Sequence, residues 1–250
     1  MPEPKGRERE DWAADLAREQ RRYQDGEARL EASRGAGGDS RDAPAGDGEA
    51  AAATAVADPD SRQRQLTRLG NAAGGAGLAL LMMGRTVDAA EWFLRAAARY
   101  RESFADAPPG SWGRPIGAVK ALVLAGDWPA ADEAARWALE TGASRAESPI
   151  GRYAAALALL VLGRDEEARP HADAIRTRDD FPAPVGDALA FLAARDVLGY
   201  TEAVESVLES FEKREEYLED LPVADTVLVL QALAARRGMA VALSSPLLPG

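Results

Sequence analysis

Cysteine is absent from the 250 residues. Disulfides, iron–sulfur clusters and thiolate zinc sites are therefore excluded. Histidine occurs once, as His171. One imidazole cannot furnish the ligand set of a His-rich zinc enzyme, and no Ser–His–Asp order accompanies it. With Pro170 before it and Asp173 near it, His171 is expected to be solvated or to cap a helix. Lysine is confined to Lys5, Lys120 and Lys213, so the cationic residues are almost all arginine. Aromatic residues make up only 6%. Long apolar runs are missing too: neither Leu78–Met83 nor any other uninterrupted run approaches the ~20 residues that span a bilayer. The opening MPEPKGREREDW is charged and has no apolar h-region, so it does not read as a secretory signal. These absences predict a cytoplasmic protein with no membrane partner.

What is present points to helices. Hydrophobic residues make up 46%, with alanine dominant. Alanine is the best helix former, and its small side chain lets helices approach closely. The net charge of −11 repels phosphate backbones and argues against a nucleic-acid partner. The carboxylate pairs Glu166–Glu167, Glu215–Glu216, Glu219–Asp220 and Asp179–Asp180 lie in polar runs. They read as solvated surface, because acid–base catalysis needs one carboxyl in an apolar pocket. NAAGGAG at 71–77 and GAGG at 35–38 match neither phosphate-binding glycine motif. The first reads as a place of close backbone approach and the second as linker. No catalytic constellation, metal site or cofactor site emerges, and a non-enzymatic protein is expected.

The chain divides into three parts. Residues 1–32 form a charged arm with a helix over about 8–31. Leu16, Tyr23 and Leu30 recur at seven-residue intervals, with Trp12 one turn earlier. That stripe is thin, so a solvated, partly helical arm is expected. Residues 33–61 are rich in Gly, Ala, Asp and Pro and read as a disordered linker, too poor in apolar surface to offset chain entropy. Residues 62–250 carry a repeating pattern. LLMMG, LVLAG, LLVLG and RDVLG each end an apolar helix, and a second helix follows. The glycines are Gly84, Gly126, Gly163 and Gly199, at intervals of 42, 37 and 36 residues. Fifteen residues before the later three stand Ser111, Ser148 and Pro184, suited to helix starts. Ala89, Ala131, Ala168 and Ala203 stand early in each second helix. First helices such as RYAAALALLVLG are apolar nearly all round, as burial between neighbours requires. A last helix over about 223–237 ends in Arg236, Arg237 and Gly238. Trp92, Trp128 and Trp137 fall at helical spacing with alanines and are expected in the core.

The glycine between helices and the early alanine of the second helix resemble the tetratricopeptide repeat superfamily over about residues 66–238. The resemblance implies an all-α, right-handed stack of about nine helices in antiparallel pairs, binding a protein or peptide on its concave face. The intervals of 42 and 37 are long for that family, and its usual first-helix aromatic positions are not filled regularly. The run LVLQALAARRGMAVALSSPLLP is also similar to the end of the helical immunity protein forty-nine family of polymorphic-toxin systems, which would imply toxin neutralisation.

Within that frame, SWGRP at 111–115 is the most individual local feature. Trp112 and Arg114 stand at the entry of a first helix, Lys120 about two turns on, and Arg152 and Tyr153 at a comparable place in the next unit. These five residues are the candidate groove that would hold an acidic peptide or carboxylate. The opposing reading packs Trp112 as a staple and pairs the arginines with nearby carboxylates. Two other functions stay open. One is an oligomeric scaffold using the N-terminal helix. The other is a small-molecule sensor or enzyme with a pocket between helices.

Overall fold

The computed structural model describes residues 9–36 and 59–250. The described residues form ten α-helices and no strand. They are α1 (Arg9–Ala36), α2 (Pro59–Met82), α3 (Thr86–Phe104), α4 (Gly113–Ala125), α5 (Trp128–Glu140), α6 (Pro149–Val161), α7 (Asp165–Arg176), α8 (Ala183–Ala194), α9 (Val197–Glu212) and α10 (Asp225–Ala235). The all-α expectation holds. Most of the expected linker falls on residues 37–58, which lie outside the described residues. No helix is long and apolar enough to cross a membrane, among the described residues.

Four tight turns join α2 to α3, α4 to α5, α6 to α7 and α8 to α9, and all four use the same hydrogen bonds. The N–H groups of Arg85, Asp127, Arg164 and Asp196 return to Leu80, Leu122, Leu159 and Phe191. The residue before each donor bonds three back, and this pair of bonds is the Schellman stop. A fifth copy ends α10, where Met239 N–H reaches Ala234 O. Gly84, Gly126, Gly163 and Gly238 take the left-handed conformation the stop requires, with φ from 68 to 73°.

At the fourth turn the sequence landmark misleads. Gly199 lies inside α9, and the left-handed residue is Arg195, with φ 56°. Asp196 then caps α9, its Oδ1 accepting from Gly199 N–H at 3.0 Å. Gly199 is required for a different reason. A Cβ there would come within 2.5 Å of the Phe191 ring. Measured on equivalent left-handed residues, the last interval runs from 163 to 195, shorter than the sequence suggested. The position matching Ala89, Ala131 and Ala168 becomes Tyr200, which is fully buried.

Helix starts also divide. Ser148 caps α6, its Oγ accepting from Gly151 N–H, and Pro184 stands in the first turn of α8. Ser111 does not cap: its hydroxyl donates back to Pro108 O, and α4 begins beyond it. Two of the three glycines of NAAGGAG receive side chains rather than backbones, and Gly74 faces open space. Added Cβ atoms at Gly75 and Gly77 would meet Leu221 and Phe93 at 2.9 and 2.7 Å. Tyr100 lies between Gly70 of α2 and Gly117 of α4, and its hydroxyl donates to Asn71 Oδ1 at 2.9 Å. Trp92, Trp128 and Trp137 are half-buried and pack on the core.

The arm is not solvated. Trp12, Leu16, Tyr23 and Leu30 are buried, and α1 packs along α2. Two further positions complete a 4-3-4-3-4 row: Glu19, with no exposed surface, and Gly26, also buried. Gly26 admits Leu69, which a Cβ would meet at 2.6 Å. Tyr23 meets Trp92 edge-on at 5.4 Å. The row is thus a full heptad stripe interrupted by a carboxylate and a glycine, which is why it reads as thin.

Helix α10 lies across the row of first helices, packing on α4 and α8 as well as on α9. Lys120 of α4 binds Asp225 at its start. At its end Arg236 and Arg237 donate to the carbonyls of Val161 (3.0 Å) and Leu160 (2.7 Å), at the C-terminus of α6. Those carbonyls form the negative end of the α6 dipole. Arg237 is only 4% exposed at its side chain and pairs with Asp165. Arg236 covers the Trp128 ring at 4.3 Å. The tail returns over α10, with Ala224 N–H bonded to Leu247 O and Gln231 bonded to Val241.

Candidate functional site

Between the first helices and the α9–α10 connection lies a groove of two chambers. The first, about 310 Å³, lies among α2, α3, α4 and the connection. Its walls include Leu78, Phe93, Ile116, Leu124 and Leu221, with Arg114 among them. The second, about 580 Å³, is lined by Tyr153, Phe181, Val185, Phe211, Tyr217 and Leu221, among others. Lys120, Asp225, Leu78, Leu218 and Leu221 border both chambers. Ile150 and Leu218, on the second chamber, are 42% and 68% exposed.

The partition is an ion pair. Lys120 Nζ donates to Asp225 Oδ2 at 2.6 Å and to Thr226 Oγ1 at 3.1 Å. Burial opposes the charge on Lys120, but the Asp225 carboxylate and its hydrogen bond outweigh it, so the ammonium pKa is raised. Tyr153, buried beside this pair, has its phenol pKa pushed up, by burial first. Its ring packs on Phe181 at 5.5 Å.

The roof is the α9–α10 connection, where Glu219 and Asp220 both have positive φ. Left-handed backbone at two successive non-glycine residues is strained and persists only where neighbours fix it. The fixing groups come from α1. Arg18 donates to Glu219 O at 2.8 Å, and Arg22 pairs with the Glu219 carboxylate. Glu219 is 10% exposed at its side chain, so it is not the solvated carboxylate that its polar run suggests. Arg18 and Arg22 also bind the buried Glu19. The N-terminal helix therefore secures the roof of the groove.

The five candidate residues separate. Arg114 lines the first chamber, Lys120 stands between the two, and Tyr153 lines the second. Trp112 points elsewhere. A Cβ at Gly151 would meet its indole nitrogen at 2.8 Å, so it packs at the α5–α6 turn and start of α6. Arg152 donates weakly to Glu147 O at 3.4 Å and lines neither chamber. His171 lies inside α7, so it is not a cap, and it is only partly solvated. It is partly buried, its Nδ1 has no partner, and its pKa is lowered by burial first and then by Arg152.

Arg114 differs from Lys120, which a carboxylate matches. It donates to Gln63 Oε1, a neutral acceptor, and its buried Nε has no hydrogen-bond partner. Burial lowers its pKa, with no carboxylate offsetting the effect. Asp225, Glu219, Leu218 and Tyr217 were not legible as site residues. Each belongs to the α9–α10 region, which reads as polar linker and capping helix. Among the described residues no group of three or more His, Asp or Glu side chains could hold a metal ion.

The chain matches no known protein family, no curated protein and no solved structure. The groove geometry is therefore the ground for a functional reading.

Proposed function

We propose that the chain is a non-enzymatic protein-binding protein of tetratricopeptide-like build. In this reading α2/α3, α4/α5, α6/α7 and α8/α9 are the stacked pairs, and the repeated Schellman stops support it. The concave face is not an open trough, because α10 crosses it. What remains for a partner is the second chamber, where an apolar side chain of an extended segment would insert. One observation carries this reading: two large exposed apolar residues, Ile150 and Leu218, flank an aromatic-lined cavity of about 580 Å³. Apolar anchors seated in pockets dominate binding at protein interfaces, and exposed apolar patches mark them. Arg214 at the same chamber favours an acidic residue beside the anchor, since Lys120 is matched by Asp225 and Asp180 by Arg178.

Toxin neutralisation is the specific role implied by the resemblance of the C-terminal run. That run is α10 and its tail, whose larger side chains are mostly spent on packing here, so the toxin reading draws support from the resemblance alone. The scaffold reading is weakened by α1, which docks on α2 of its own chain.

Panning a random-peptide display library on the intact chain and on Ile150→Glu/Leu218→Glu tests the proposal. Both positions are exposed, so the fold should tolerate the change. Enrichment of apolar-acidic peptides by the intact chain, lost in the double variant, supports it. No enrichment, or equal enrichment by both, sinks it.

A further inference from the structure

We propose that the first chamber is a separate small-molecule site, for an apolar monocarboxylate whose body lies among Leu78, Phe93, Ile116 and Leu124 and whose carboxylate binds Arg114. The site does not depend on whether a partner segment occupies the second chamber.

The charges in its wall point to this chemistry. Three of the four charged groups are already matched: Glu219 by Arg22, and Asp225 by Lys120 at 2.6 Å. Arg114 is not. A guanidinium has five N–H donors in a planar fork. Here one reaches a neutral amide oxygen, and Nε is buried without a partner. Holding a cation in an apolar wall against a neutral acceptor is costly, and an incoming anion relieves that cost. The fork matches a carboxylate, which accepts two parallel bonds. One uncompensated positive charge suits a monoanion better than a phosphate dianion, above all in a chain of net charge −11.

The walls select the rest of the ligand. The chamber volume of about 310 Å³ falls at the lower end of the ~300–1,000 Å³ range of small-molecule sites. Away from Arg114 the wall is mostly aliphatic and aromatic; Lys120, Asp225 and Glu219 within it are matched, and the hydroxyl of Tyr100 is engaged by Asn71. An unbranched or aromatic body is accommodated, and a second charge is not. The α9–α10 connection closes the chamber through Leu218 and Leu221, and α1 fastens that connection through Arg18 and Arg22.

Gly74 supplies a clean control. It lines the chamber, lies mid-helix in α2, and a Cβ there meets nothing within 4 Å. Gly74→Leu should fill the chamber while improving helix propensity.

The test is isothermal titration of the full chain with decanoate and with its neutral analogue decanol. One decanoate per chain is expected. Arg114→Met should weaken decanoate about tenfold or more, the loss of a charge-assisted pair, and leave decanol binding unchanged. Arg114→Lys should fall between, since it keeps the charge and loses the fork. Gly74→Leu should abolish both, with an unchanged circular dichroism spectrum. Ile150→Glu, at the second chamber, should leave decanoate binding intact, so failure of the peptide reading leaves this one standing. The proposal is overturned by no decanoate binding up to millimolar concentration, by equal binding in Arg114→Met, or by binding that survives Gly74→Leu.

Discussion

Replacing Lys120 by methionine removes the ammonium that ties α4 to α10 and divides the groove. The Asp225 carboxylate would remain, 27% exposed at its side chain and facing apolar walls. Breaking a fully buried pair costs about 3–5 kcal/mol, because the surviving charge is left unmatched. Asp225 keeps some contact with water and the hydroxyl of Thr226 at 3.3 Å, so the expected loss is about 2–3 kcal/mol. Removing both charges, as Lys120→Met/Asp225→Leu, takes away that penalty. What stays lost is an acidic residue in the first turn of α10, worth ~0.3–1 kcal/mol. The double variant should lie within about 1 kcal/mol of the parent, an apolar pair replacing an ionic one. Urea unfolding followed by circular dichroism at neutral pH would measure the cycle. If Lys120→Met costs less than ~0.5 kcal/mol, the pair does not hold α10 in place. If the double variant falls as far as the sum of the singles, the two charges are not coupled, and the account of the partition is wrong.

Three further outcomes follow from particular residues. Arg195→Gly should be neutral to stabilising by up to ~1 kcal/mol, since relief of a left-handed arginine outweighs its exposed ion pair with Asp165. Destabilisation by more than that in a thermal melt would place the left-handed residue elsewhere. Gly74→Ala should stabilise by about 0.5–1 kcal/mol through helix propensity. Gly77→Ala, whose Cβ would stand 2.7 Å from the Phe93 ring, should destabilise by ~1–3 kcal/mol through overpacking. Equal effects of the two in denaturant unfolding would contradict the packing described for α2. His171 is held below its ordinary pKa in the folded chain, so the unfolded chain takes up the proton first as pH falls. Stability should therefore be complete above about pH 6.5 and decline below it. His171→Gln should flatten that part of a pH-dependent melt, and an unchanged slope would count against the burial of the imidazole.

Much of the framework was legible because it depends on local chemistry. A glycine after an apolar helix supplies the left-handed residue of a Schellman stop, and three of the four helix-pair turns could be placed from Gly84, Gly126 and Gly163 alone. Alanine content, all-round apolar first helices and the repeated glycine stops pointed to an all-α protein. The fourth turn was misplaced because Arg195 does the work of a glycine. Its left-handed conformation leaves no mark in residue type, while Gly199 nearby owes its identity to Phe191. The docking of α1 was hidden because Glu19 and Gly26 stand where apolar residues would have completed the stripe. The partners of Glu19 are local, Arg18 and Arg22 of the same helix, but only the folded chain brings Glu219 to Arg22 and Leu69 to fill the space at Gly26.

The candidate site divides along the same line. Sequence position identified Arg114, Lys120 and Tyr153 as residues at the starts and along the inner sides of first helices. It could not separate them from Trp112 and Arg152, because the side of a helix that faces the groove depends on how neighbouring pairs are rotated. Nor could it place Asp225 beside Lys120, a contact between residues 105 positions apart. Local rules fixed where most of the helices begin and end. Long-range packing alone decided that α10 would cross the inner row, that α1 would fasten the roof, and that a groove would remain between them.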